Sequence, residues 1–160
     1  MNSYTKSTAI FSPCRTWRYT LERWWAEGQY VNFLMLNPST ADEVQPDRTV
    51  TRCIDFARAW SYAGLVVTNI FALRSTDPEA LLHHSDPVGP DNDVRILRTA
   101  LSAGLVIAAW GTWGKVDRRG EQVAAILKGN GIKFHCLGKT KDGYPKHPLY
   151  LKATTKPQPF

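Results

Sequence analysis

Cysteine is scarce in this chain. The three present, Cys14, Cys53 and Cys136, are odd in number, widely spaced and never arranged as Cys-x-x-Cys. That excludes a disulfide framework and a cysteine-built zinc site, and points to a reducing, cytoplasmic setting. No apolar stretch reaches the roughly 18 residues of a membrane span, and Met1 to Pro13 carries one lysine and no long apolar core, so neither a membrane segment nor a secretory signal is expected. The Gly-x-x-x-x-Gly-Lys-Ser/Thr phosphate loop and the Gly-x-Gly-x-x-Gly dinucleotide fingerprint are both missing. The four histidines, His83, His84, His135 and His147, have no helical metal-binding spacing. The reading therefore assigns no metal and no cofactor.

Acidic residues are nearly missing from the end of the chain. Residues 131–160 hold six lysines (133, 139, 141, 146, 152 and 156) against Asp142 alone, so much of the net charge of +6 sits at one end. A field of that sign attracts phosphate, and nucleic acid is the commonest polyanion. A solvated basic tail accounts for the same residues. Hydrophobic and charged residues are near ordinary globular proportions at 43% and 21%, so one domain with a real core is expected.

Hydrophobic periodicity supplies the elements. Residues 1–13 read as a flexible arm, 14–152 as one α/β domain and 153–160 as an extended, Pro-containing tail. Trp17 to Trp25 alternates like a half-buried strand, and the apolar run Tyr30 to Leu36, following Gly28, is expected to pair with it antiparallel as a hairpin. Val50, Cys53, Ile54, Ala57 and Trp60 mark one face of a helix that Asp47 caps and Gly64 closes. Leu65 to Phe71, Leu105 to Trp110 and Ile132 to Leu137 read as further strands. Helices are expected from Asp91 or Asn92 to Leu101, with Val94, Leu97 and Leu101 inward, and from Lys115 to Lys128. Residues 74–91 form a long loop with a turn at Pro78 to Leu82. The order predicts a three-layer α/β/α domain with a mainly parallel central sheet and an N-terminal antiparallel strand.

In such sheets ligands collect outside the carboxyl ends of the parallel strands. Four segments should converge there: residues 37–40, 69–74, 110–114 and 138–150. The first ends an apolar run in Asn37-Pro38-Ser39-Thr40, where Pro38 cannot extend a ladder. Substrate-binding candidates are Pro38, Ser39, Thr40, Asp47, Arg48, Asn69, Arg74, Trp110 and Gly111, and phosphate-binding candidates are Arg52, Lys139, Lys141 and Lys146. Ser39, His147 and Asp47 are the types of a nucleophilic triad, without a Gly-x-Ser-x-Gly elbow. Asn37 before proline is also a common turn cap.

Leu-Asn-Pro-Ser-Thr-Ala-Asp at 36–42, the Trp110-Gly111 corner and the Lys-x-Gly-x-Pro-x-His-Pro-Leu-Tyr end resemble the domain of unknown function 1643 family over about residues 17–151. More distantly, Met35-Leu36-Asn37-Pro38-Ser39, Val67-Thr68-Asn69 and His147-Pro148-Leu149 resemble the three motifs of the uracil-DNA glycosylase superfamily, with Ser39 and Leu149 standing where that superfamily has glycine and serine. That resemblance implies a glycosylase-like fold and catalytic roles for Asn37, which would position water, and His147, which would stabilise the departing base, while Asn69 would read a base edge. The expected function is a nucleobase-directed enzyme, a DNA glycosylase hydrolysing the N-glycosidic bond of a modified base, with DNA or a nucleotide as partner. Two other readings stay open: a binding module for nucleic acid or nucleotides without catalysis, and a transferase or hydrolase of a phosphorylated small molecule.

Overall fold

The computed structural model describes residues 3–160. Seven strands form one sheet in the order β1-β2-β4-β3-β5-β6-β7. They are β1 (Lys6–Phe11), β2 (Arg18–Trp24), β3 (Tyr30–Met35), β4 (Gly64–Asn69), β5 (Leu105–Ala108), β6 (His135–Cys136) and β7 (Gln158–Pro159). Three helices accompany them: α1 (Arg48–Ala59), α2 (Asn92–Ser102) and α3 (Arg119–Gly129). The α/β class and the helix on each side of the sheet match the sequence reading, but the sheet is mixed rather than mainly parallel. Its centre is parallel, with β3 between β4 and β5 and β6 beyond β5. Its margins, β1–β2, β2–β4 and β6–β7, are antiparallel.

The central position of β3 follows from its composition. Every residue after Tyr30 is buried, and alternation sends Phe33 and Met35 to one face and Leu34 to the other. On the first face Val50, Cys53, Ile54 and Ala57 of α1 pack against β3 and β4. On the second, Ile96 and Ala100 of α2 and Val123 and Leu127 of α3 pack against Leu34, Val106 and Ala108. A strand covered on both faces belongs in the parallel centre.

That placement overturns the expected hairpin. β2 pairs with β1 and β4, and β3 lies on the far side of β4. The expected flexible arm supplies β1 over Lys6–Phe11 (Met1 and Asn2 lie outside the described residues), and the expected extended, Pro-containing tail supplies β7, so both segments close sheet margins. The strand expected over Ile132 to Leu137 shrinks to His135–Cys136. Gly64 begins β4 instead of closing α1, which ends at Ala59.

Two helices differ for identifiable reasons. In α2 the buried positions are Asn92, Ile96 and Ala100, while Val94 and Leu101 are 53% and 57% exposed. A polar anchor sets this rotation: Asn92 donates through Nδ2 to the carbonyls of Asn69 (2.8 Å) and Ile70 (3.2 Å), holding the helix start against the end of β4. The helix expected from Lys115 is broken into a 3-10 turn, Thr112–Arg118, and α3. Asp117 and Arg118 between them take left-handed dihedrals, φ 50° and 53°. The break wraps the chain around the buried Trp110 indole, against which Gly114 and Gly120 lie so closely that a Cβ on either would collide with it.

Candidate functional site

The parallel register places the ends of β3, β4 and β5 together. Met35 is opposite Asn69, Leu34 is opposite Ala108, and the ladder continues through Ile70 N–H to Met35 O and Ala109 N–H to Leu34 O. Beyond these ends lies a cavity of about 400 Å³, within the range of small-molecule sites. Of the residues expected from sequence, Asn37, Pro38, Ser39, Asp47, Asn69, Trp110, Gly111 and His147 all line it.

The amide of Asn37 is oriented by its surroundings. Its Nδ2 lies 3.2 Å from Pro38 O, 3.3 Å from Leu73 O and 3.0 Å from Ser75 O. Three carbonyls require the NH₂ end on that side, because the reversed amide would set oxygen against oxygen. The turn-holding role expected of an Asn before Pro is therefore present, and it leaves Oδ1 as the acceptor end.

Asn69 is oriented in the same way by a residue that the sequence did not suggest. Arg18 is 2% exposed, lines the cavity, and donates through Nη2 to Asn69 Oδ1 (3.4 Å) and through Nη1 to Ala41 O (2.9 Å). A cation on that side fixes the amide oxygen there, so Nδ2 is the end left for a ligand. Burial pushes the Arg18 guanidinium down to about 10, with the Asp47 charge opposing. No carboxylate lies within ion-pair distance of it among the described residues. Arg18 escaped the sequence reading because it falls on the polar phase of an alternating strand; the 41–43 loop then covers it. Arg23 of the same strand donates to the carbonyl of Asp42, and Ser7 of β1 donates to that of Glu43, so the β1–β2 pair pins this loop.

Asp47 caps α1, its Oδ1 accepting from Val50 N–H at 2.8 Å. The second oxygen accepts no bond among the described residues. His147 stands exposed on the rim, where its Nδ1 accepts from Leu149 N–H at 3.2 Å, which leaves the proton of the neutral ring on Nε2. Crowding by the protein lowers its pKa below the ordinary histidine value, with Asp47 opposing. In its neutral form the ring offers an N–H donor at Nε2. Cys53 lines the cavity as a protonated thiol, because complete burial raises its pKa well above 9. Trp113, in the 110–114 segment expected on this rim, also lines the cavity, as do Thr49, Ser75 and Thr76, which the sequence reading did not name.

The remaining candidates lie elsewhere. Thr40 is exposed beside the cavity, and Arg48 is exposed in an outer groove along α1 that also contains Arg52. Arg52 donates to Leu151 O and stacks on Phe56, so it ties the C-terminal segment to α1. Arg74 stacks on Phe11, over which Arg15 also lies, at 3.8 Å from the ring centre. Lys139 lies over Phe160, and Lys141 and Lys146 are exposed on the 138–146 loop. Among the described residues no group of three or more His, Cys, Asp or Glu side chains is placed to hold a metal, and no helix is long and apolar enough to cross a membrane.

Fold and cavity together define an α/β domain with a largely apolar pocket, set with a few polar side chains, at the carboxyl ends of its parallel strands. The chain belongs to the family described as Protein of unknown function (DUF1643), whose model matches residues 18–149. No curated protein and no solved structure matches the chain.

Proposed function

We propose that the cavity receives a nucleobase, and that the protein hydrolyses the N-glycosidic bond joining it to the sugar of DNA or a nucleotide. One observation carries the reading. Three residues whose polarity is fixed by their other bonds line one cavity: Asn37 with Oδ1 left as acceptor, Asn69 with Nδ2 left as donor and His147 with Nε2–H left as donor. Cleaving this bond builds positive charge on the sugar and negative charge on the departing base, so the reaction needs a held water at one end and a hydrogen-bond donor at the other. Asn37 suits the first role, His147 the second, and Asn69 the reading of a base edge.

The half-buried Trp113 at this cavity suits a flat ring, and extruding a base from a strand requires cations to grip the phosphates. Exposed Lys141 and Lys146, on the loop leading to His147, are available for that grip. The likeness of the three motifs to those of the uracil-DNA glycosylase superfamily adds support.

The test incubates purified protein with DNA carrying a panel of modified bases and scores abasic sites, with Asn37→Ala alongside. Release of one base by the wild type, reduced roughly 10²-fold or more in the variant, is the expected result. Binding that weakens steeply with salt while every base stays in place would leave a binding module instead.

A further inference from the structure

We infer that Asp47 is the general base of this site, taking the proton of the water that attacks the sugar; the inference rests on the hydrolytic reading above. Hydrolysis of an N-glycosidic bond leaves a proton that must be accepted as the water oxygen bonds to the sugar carbon. An amide such as Asn37 orients a water but has negligible basicity, so a basic group beside that water would speed the transfer.

The described residues lining the cavity include four titratable side chains: Arg18, Asp47, Cys53 and His147. Arg18 is a cation whose donors face Ala41 O and Asn69. Cys53 is fully buried on the helix face that packs against β3 and is held as a thiol. His147 spends its only ring lone pair on Leu149 N–H and carries its proton on Nε2. It is a donor and cannot accept while that bond lasts.

Asp47 alone combines negative charge with a free lone pair. Its Oδ1 is committed to Val50 N–H at the first turn of α1, which locks the rotamer, and its other oxygen is unengaged among the described residues. A cap of this kind holds the carboxylate rigidly at a helix start, so reach and direction are set by the backbone rather than by a flexible side chain.

The step balances without any outside reagent. The water oxygen forms its bond to the anomeric carbon, the carbon–nitrogen bond breaks and its electron pair leaves on the base, Asp47 takes one water proton, and His147 Nε2–H hydrogen-bonds the departing nitrogen anion. Proton return from Asp47 to the released base, directly or through solvent, restores the starting state.

The cap also makes the test clean, because Asn and Ser cap helices about as well as Asp. Asp47→Asn and Asp47→Ser keep the helix start while removing the carboxylate. The wild type and both variants are assayed on the same modified-base DNA panel, with melting temperature and DNA binding measured in parallel. The expected result is a fall in kcat of roughly 10²–10⁴-fold in both variants, with KM, binding and melting little changed. Added formate should recover part of the rate in Asp47→Ser alone, a rescue that a purely structural cap would not give. Retained kcat in either variant overturns Asp47 as the base while hydrolysis itself stands. A wild type that releases no base from any substrate removes the hydrolytic reading, and the base with it.

Discussion

Arg18 Nη2 and Asn69 Oδ1 meet at 3.4 Å inside the cavity wall, a buried guanidinium from an antiparallel strand deciding which end of a parallel-strand amide faces a ligand. Neither residue can be moved without the other. Arg18→Ala leaves Asn69 Oδ1 and Ala41 O without their donor and opens a void, so a loss of roughly 2–5 kcal/mol is expected in denaturant unfolding. An unchanged midpoint would contradict this account.

Asn92 holds the end of β4 from the other side. Asn92→Ala abandons the carbonyls of Asn69 and Ile70 and removes what fixes the rotation of α2. The expected cost is about 1–3 kcal/mol. Amide exchange should quicken at Ile70 and Phe71 before it does in β5.

His147 couples the rim to pH. Its folded pKa lies below the ordinary histidine value, so as pH falls the unfolded chain takes up the proton first. The stability tied to this group is therefore complete above the unfolded value of about 6.5 and is lost as pH drops toward the lower folded value. Titration of the His147 ring by NMR should give a midpoint below the ordinary histidine value, and His147→Asn should flatten this part of the stability curve.

Cys14 is the reactive thiol. Hydrogen bonds with the Ser12 and Thr16 side chains lower its pKa to about 7, and it is exposed, whereas Cys53 and Cys136 are buried. Alkylation followed by mass spectrometry should label Cys14 first, at a rate that rises through about pH 7. Ser12→Ala should move that midpoint upward. Labelling of Cys53 ahead of Cys14 in the folded protein would contradict the burial pattern.

Gly114→Ala tests the fit around Trp110. The added methyl overlaps the indole, which would have to shift against Phe160, packed edge-on to it at 5.9 Å. Overpacking of this kind costs typically 1–3 kcal/mol, and the variant's tryptophan emission should shift as the ring moves.

The elements were legible where one physical signal dominated. Asp47 with the apolar spacing from Val50 gave α1 and its cap, because capping and amphipathicity are local. The run ending at Asn37-Pro38 gave β3 and its stop, because proline removes a donor wherever it sits. The rotation of α2 was not legible: its apolar pattern favours Val94 and Leu101, and an amide bonding two carbonyls of another strand outweighs it. The break before α3 was hidden as well, since it depends on an indole packing on Gly114 and Gly120 and no proline marks it.

The sequence by itself determined the α/β class, the polar corner after β3, and the residue types Asn37, Asn69, Asp47 and His147 at segment ends, since each rests on short-range periodicity, capping and proline geometry. Tertiary structure alone decided the strand order, the use of both chain ends as sheet margins, and the burial of Arg18 behind Asn69. Pairing partners and amide orientations depend on groups distant in the chain: 51 residues separate Arg18 from Asn69, and 36 and 38 separate Asn37 from the carbonyls of Leu73 and Ser75. No local pattern carries that information.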